Sequence, residues 1–427
     1  MTEPRPRPGA GPGWDLERAE AHLLGLELFG MRFGLERMRR LLTALGSPQR
    51  AFRAVHVVGT NGKSSTVRMT AAILEAHGLR TGSFVSPHLT SFAERIRIAD
   101  DDLGPEAFGA AVERAAGAAA LVDRTLGGED RVTQFELITA AALAEFARRD
   151  VDVAVVEAGL GGRHDATNVL DAPVVVLTNV GLEHTRWLGP TLRDIAREKL
   201  AVVTKRATLV IGGLEPEAED EALATAARNQ ARLVRPLPAT AVGLPGYQRT
   251  NFAVACAAAG ALIGELDERA VAEAIAHSEV PGRLQRVAER PLTIVDGAHN
   301  PSGVAALAAA LPDAVGERPV VAVTSILDDK DAAGMLRELL PHCAAAVFTR
   351  SLNPRALPAA TLASLASQLG GAGGGGPLEI DPDPYHAVER ARELAGPGGA
   401  VVATGSIYLV ADLLSAAGGR RRSRSTL

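Results

Sequence analysis

The segment Gly59-Thr60-Asn61-Gly62-Lys63-Ser64-Ser65 places two glycines, a lysine and two adjacent serines in one short loop. Small residues let backbone N–H groups approach phosphate oxygens, and a helix starting behind the loop adds a favourable dipole. The order predicts an ATP phosphate site. Lys63 would neutralise the β- and γ-phosphates, and the hydroxyl of Ser64 or Ser65 would reach Mg²⁺. The spacing departs from the general GxxxxGK[ST] loop, whose first glycine would fall on Val57, whereas the glycine present is Gly59. A tight strand–helix turn without a ligand would not need Lys-Ser-Ser at the helix start. No kinase catalytic loop is present and no GxGxxG joins a strand to a helix, so protein-kinase and dehydrogenase readings fail. A second chemical candidate is Glu157, at the end of an apolar run and the start of a glycine run, where the crevice of a parallel sheet binds ligands.

These groups need a frame that carries strand ends to one place. Short, nearly continuous apolar runs recur at 54–58, 151–159, 172–180 and 208–213, then at 292–298, 318–326, 345–350 and 399–406. Such runs suit strands buried on both faces of a parallel sheet, and Ala-rich helical stretches lie between them. The expected fold is α/β: a P-loop-type, doubly wound parallel sheet domain over 1–281, followed by a smaller C-terminal Rossmann-like α/β domain over 282–427. The boundary falls at Pro281-Gly282, after a helical stretch from Asn251 to about His277. Leu369 to Pro377 reads as a flexible glycine loop within the second unit. The helix behind the phosphate loop is expected from Thr66 to about His77, stopped by Gly78.

At 427 residues the chain exceeds one ordinary core, and its 4% aromatic content leaves that core to Ala, Val, Leu and Ile. The formal net charge of −5 gives no global basic field, which argues against a nucleic-acid partner. Two cysteines, Cys256 and Cys343, exclude a disulfide framework and suit a cytoplasmic location. The Pro-rich start reads as a disordered leader, and GGRRRSRSTL as a disordered basic tail. No stretch approaches a membrane span. A monomer is expected.

Several further segments, in order, share a family likeness. HVVGTNGKSST resembles the nucleotide loop of the Mur ligase superfamily, in particular its folylpolyglutamate/dihydrofolate synthase branch. SPHL (86–89) with FAERIRI (92–98), TQFELITA (133–140), EAGLGGRHDATNV (157–169) and TNVGLEHTRWLGPTLRDIAREK (178–199) are similar to segments of that branch. So are YQRTN (247–251), PGR (281–283), DGAHNP (296–301), DDKD (328–331), NPRAL (353–357) and GSIYLV (405–410). Together they span residues 24 to 412. The chain departs from the branch at Ser64, which replaces a glycine, at Glu183, where Asp is usual, and at Tyr247, where His is common. Arg32 stands where one form of the dihydropteroate-binding enzyme carries Asp, and the 213–246 segment is short.

The resemblance implies an ATP-dependent ligase. A carboxylate attacks the γ-phosphorus, an acyl phosphate forms, and the amine of L-glutamate displaces phosphate. The acid would be a folate, dihydropteroate, or both. Glu157, Ser86 and His184 are implied as Mg²⁺ ligands, with Lys199 as a carbamate. Asn251 is implied beside adenine, Arg283 at the phosphates, Asp296 near the ribose, and His299 beside the phosphates or the substrate. Lys199, His299 and Glu157 would be the catalytic set. Thr133, Phe135, Glu136, Arg163 and Asp165 are candidates for the side of the pterin acid. Other readings are a murein ligase, for which the expected UDP-sugar domain ahead of the loop is missing, or an ATP-binding module without catalysis. Turnover stimulated by an acid plus an amine separates them.

Overall fold

The computed structural model describes residues 13–26, 34–127, 130–237, 243–373 and 375–418. The Pro-rich leader, Arg32 and the basic tail beyond residue 418 lie outside the described residues.

Among the described residues, fourteen strands form two sheets. The first holds β1 (Arg53–Val58), β2 (Thr81–Phe84), β3 (Ile96–Ile98), β4 (Asp101–Asp102), β5 (Val153–Glu157), β6 (Val174–Leu177), β7 (Thr208–Ile211) and β8 (Arg232–Val234). Their spatial order is β4-β3-β2-β5-β1-β6-β7-β8. The second holds β9 (Gln285–Glu289), β10 (Leu292–Val295), β11 (Val320–Thr324), β12 (Ala345–Phe348), β13 (Leu378–Ile380) and β14 (Ala400–Thr404), ordered β13-β12-β11-β14-β10-β9. Pairing is parallel except at two edges, where β3 and β4 continue the first sheet antiparallel and β9 pairs antiparallel with β10. The expected parallel sheets are therefore mixed at their edges.

Alternation along each strand explains the two-sided burial. In the first sheet Val55, Val57, Val153 and Val155 face the helices Lys63–Ala76, Tyr247–Ile263 and Glu268–Ala276. Ala54, Val58, Ala154 and Val156 face the opposite layer with Phe108, Leu137 and Phe146. Each buried valine of this kind stabilises the fold by about 1.5–3 kcal/mol. In the second sheet Ile294, Ala322 and Val402 face one layer, and Val295, Val323 and Val401 the other. Leu89, from the first half of the chain, sits in that last cluster beside Val410, so the SPHL loop is pinned to the second unit.

The stretch expected as one helix from Asn251 to His277 is two. Gly264 at φ +92° ends the first, and Asp267 caps the second through Arg269 N and Ala270 N. The helix behind the phosphate loop starts earlier than expected, at Lys63, because Gly62 takes φ +78° directly before it. The described residues of the 369–377 loop are irregular as expected, but two of its glycines serve packing: a Cβ on Gly373 would stand 2.5 Å from Pro341 O, and one on Gly376 1.6 Å from Ala344 O. No helix among the described residues is long and apolar enough to cross a membrane.

Candidate active site

The central strands β1, β5 and β6 end side by side, and their following loops make the site. After β1 the chain turns through Gly59 at φ +152° and Gly62 at φ +78°. Neither position has room for a side chain: a Cβ on Gly59 would lie 1.9 Å from Thr178 Oγ1, and one on Gly62 2.5 Å from Asn251 Oδ1. Thr178 and Asn179, after β6, hold the loop. Thr178 Oγ1 donates to Asn61 O at 2.7 Å, and Asn179 Oδ1 accepts from Asn61 N at 2.8 Å. Gly181 N donates to Thr60 Oγ1 at 3.0 Å.

Lys63 Nζ donates to Thr60 O at 3.1 Å and lies 3.9 Å from Glu157. Ser64 and Ser65 now separate. Ser64 stands close enough to Glu157 to lower its pKa. Ser65 is buried, with no partner for its hydroxyl. Glu157 accepts from Ser86 N at 3.1 Å. Burial raises its carboxyl pKa, against the opposing pull of Lys63, Ser64, Ser86 and Arg283.

Lys199, at the end of the helix Leu192–Lys199, is 5% exposed and donates to Gly59 O at 2.7 Å. Burial first, and Lys63 second, push its pKa down to about 7. His184 sits at φ +53° with one edge in solvent; desolvation of the other edge, with Lys330, Lys63 and Lys199 near, moves it down to about 4. A neutral imidazole can act as a ligand.

Residues of the second unit reach this cluster directly. Asn61 Nδ2 donates to Asn300 Oδ1 at 3.2 Å, and Asn300 Nδ2 to Asn61 Oδ1 at 2.9 Å. Glu183 is the hub. Lys330 Nζ lies 3.0 Å from its Oε1 and His299 Nε2 3.4 Å, and Asn300 Nδ2 donates to Oε2 at 3.1 Å. Burial opposes the charge, but His299, Lys330 and His184 hold this carboxyl well below the usual carboxylate range. Asp296, buried at the end of β10, accepts from Leu284 N at 2.8 Å, Ala298 N at 2.9 Å and the Tyr247 hydroxyl. Arg283 Nη1 donates to Gly282 O at 3.1 Å and packs against Gly297. Asn251 is buried against Gly62, and its Nδ2 has no partner.

The candidates for the acid side divide. Phe135 lies over Gly159, where a Cβ would meet its Cζ at 2.6 Å, so its ring does face the glycine run after Glu157. Thr133 and Glu136 are engaged elsewhere. They form a capping box on the helix Gln134–Arg148, and Arg37 Nε donates to Glu136 Oε2 at 3.1 Å. Arg163 is half-exposed and pairs with Glu198 at 3.0 Å. Asp165 is buried and accepts from Leu160 N at 2.8 Å and Thr167 N at 3.0 Å, which shapes the glycine run from beneath.

The unpartnered Ser65 hydroxyl and Asn251 amide, and the glycine cradle, fit a nucleotide. Among the described residues no three His, Cys, Asp or Glu converge as a metal cage. Mg²⁺ does not need one, because it binds through one or two carboxylates, waters and substrate phosphates. Of the expected ligands, Glu157 and Ser86 carry the oxygen donors that mode uses and lie against each other, with Ser86 N donating to Glu157 at 3.1 Å.

The Mur ligase middle domain model matches residues 57–234, and the Mur ligase glutamate ligase domain model matches 282–407. The chain is 37% identical over 377 residues to the dihydrofolate synthase/folylpolyglutamate synthase of Mycobacterium tuberculosis, covering 78% of this chain and 77% of that protein. It belongs to the folylpolyglutamate/dihydrofolate synthase family of Mur ligases. Two solved members of the family superpose over nearly the whole length. M. tuberculosis folylpolyglutamate synthase complexed with ADP has a TM-score of 0.86 at 33% identity, covering 95% of this chain and 99% of that one. The Yersinia pestis bifunctional enzyme with Mn, AMPPNP and L-glutamate bound has a TM-score of 0.82 at 30% identity, covering 94% of this chain and 98% of that one.

Within this family frame Lys330 and Asn300 are the residues that sequence reasoning left without a task. The DDKD motif was visible, but nothing local links Lys330 to a carboxylate 147 positions away.

Proposed function

We propose that this chain joins L-glutamate to a pterin-bearing acid, a reduced folate, dihydropteroate or both, at the expense of ATP. The observation that carries the reading is the convergence of the phosphate loop, Glu157 and Lys199 with Asp296, His299 and Lys330 where the two units meet, joined by the Lys330–Glu183 contact at 3.0 Å. The division at 281/282 belongs to the same proposal, supported by the separate sheets on either side of it.

In this reading the amides of the glycine loop and Lys63 hold the β- and γ-phosphates, Asn251 and Asp296 take the nucleoside, and Arg283 approaches the phosphates. Ser86, Glu157, His184 and Lys199 would hold Mg²⁺, which when bound would neutralise phosphate charge. The carboxylate of the acid, lying along Phe135 and the glycine run, attacks the γ-phosphorus and releases ADP. The resulting acyl phosphate keeps one oxygen of the acid in its bridge. The glutamate amine then attacks the acyl carbon, loses a proton, and expels phosphate. Charge gathers on oxygen at each step, so positioned cations do most of the work. Lys63 and Lys330 face that charge, and His299 is placed to hold a proton at Nε2. Thr133, Glu136, Arg163 and Asp165 shape the acid pocket from behind, as supports of its backbone.

The proposal extends to a cytoplasmic monomer without nucleic-acid or membrane partners. The net charge of −5 and the two free cysteines support it. The functional test is phosphate release from Mg·ATP with L-glutamate, comparing dihydropteroate with tetrahydrofolate. Stimulation by either acid is the expected result, and the pattern assigns the substrate. Nucleotide binding without stimulation by either acid contradicts the reading.

A further inference from the structure

Tyr247 has no task in the reaction as described, yet it touches the nucleoside end of the site. It opens the helix Tyr247–Ile263 and packs against the core of the second unit. Gly246 before it is so close to the second unit that a Cβ there would stand 2.2 Å from Ala310 Cβ. The Tyr247 hydroxyl donates to Asp296 Oδ2, the oxygen that Leu284 N also reaches at 2.8 Å, while Ala298 N donates to Oδ1 at 2.9 Å. Burial and the Asp296 charge raise the phenol pKa, so the hydroxyl keeps its proton and acts as a donor.

A carboxylate offers about four acceptor positions. Two backbone amides and the phenol fill three of them and fix the carboxylate plane, so one acceptor position, on Oδ1, is unused in this buried group. Asn251 lies one helical turn beyond Tyr247 on the same face. Its oxygen is against Gly62, and its buried Nδ2 has no partner. The first two turns of this helix therefore carry Asn251, against the phosphate loop, and Tyr247, the donor that holds Asp296.

We propose that Tyr247 is a positioning residue of the nucleoside subsite: by holding Asp296 it fixes the acceptor for a ribose hydroxyl, and so sets the preference of this chain for ribonucleotide over deoxyribonucleotide. This rests on the reading that Asp296 faces the nucleotide. Histidine can also donate to a carboxylate from a ring N–H. The tyrosine is thus an alternative donor for the same task.

The test is steady-state kinetics of the full chain with ATP, 2′-deoxy-ATP and 3′-deoxy-ATP, comparing the wild type with Tyr247→Phe, Tyr247→His and Asp296→Asn. Loss of a hydrogen bond to a charged group is expected to raise the KM for ATP about tenfold in Tyr247→Phe. Its kcat stays near the wild-type value, and its discrimination against one deoxynucleotide shrinks. Tyr247→His recovers both KM and discrimination. Wild-type KM and discrimination in Tyr247→Phe, with Asp296→Asn impaired, overturn the inference alone. A fall in kcat and Tm at unchanged KM also overturns it, because that is the mark of a merely structural residue. An unimpaired Asp296→Asn removes Asp296 from the nucleotide site, and the inference falls with it.

Discussion

Lys199 is enclosed beneath the phosphate loop with its amine on Gly59 O, in a setting that brings its pKa down to about 7. A partly uncharged amine at neutral pH is the form that takes up CO₂, which is what the proposed carbamate requires. Lys199→Ala is expected to lower kcat by a factor on the order of 10² or more, and Lys199→Arg not to rescue it, since a guanidinium stays charged. Full turnover in Lys199→Ala, measured by phosphate release, rules out the role. His56 gives a separate prediction, on stability. It is buried in β1, bonded to Thr167 Oγ1 at 2.7 Å, and burial moves its pKa from 6.5 down to about 4. The unfolded chain binds the proton first, so stability is retained above pH 6.5 and is lost as pH falls toward 4. Between pH 7 and 5 this one group accounts for a loss of about 2 kcal/mol. Urea unfolding at the two pH values checks it, with His56→Gln expected to flatten the difference. Gly59, Lys63 and Glu157 were legible at this scale because phosphate chemistry demands their types at a local spacing. Asn300 was not, since its partner Asn61 lies 239 positions away. Thr133, Glu136 and Asp165 were read as acid-side contacts. Short polar side chains beside a helix start or a glycine run also cap backbone amides, and that use is the one seen.

At the level of elements, the strand–loop–helix around Lys63 depends on a conformation only glycine takes easily. Gly62→Ala places a Cβ 2.5 Å from Asn251 Oδ1 at φ +78°. The left-handed conformation alone costs about 1–2 kcal/mol. The variant is expected to weaken nucleotide binding at least about tenfold, as isothermal titration can measure. Thr133→Ala removes the capping-box hydroxyl of the helix Gln134–Arg148 and should cost about 1 kcal/mol of stability while leaving the KM for ATP unchanged. A large change in that KM contradicts the capping assignment. The long apolar strands were legible because burial on both faces forces continuous Val and Ala. β2 was not: its residues Thr81-Gly82-Ser83-Phe84 carry no apolar run, and Gly82 is required there because Phe146 covers it. β4, β8 and β13 are short strands with partial exposure, where periodicity has too few residues to register.

Across the whole molecule, the two units meet through Asn61–Asn300, Glu183–Lys330 and the Leu89 anchor. Glu183 reaches three residues of the second unit at once. Lys330→Met leaves that carboxylate without its nearest cation. The kcat/KM for the acid is expected to fall about tenfold or more, with nucleotide affinity nearly unchanged, because Lys330 is not among the residues proposed to hold ATP. A proportional loss of nucleotide affinity contradicts this division of labour. The central claim is that the cleft activates a carboxylate by phosphorylating it. The most direct measurement uses dihydropteroate or tetrahydrofolate labelled with ¹⁸O in the reacting carboxylate, with Mg·ATP and L-glutamate, and mass analysis of both products. Transfer of one ¹⁸O to the released phosphate, together with an acid heavier by one glutamyl residue, is the predicted result. Unlabelled phosphate, or labelled acid recovered unchanged after ATP has been consumed, contradicts it.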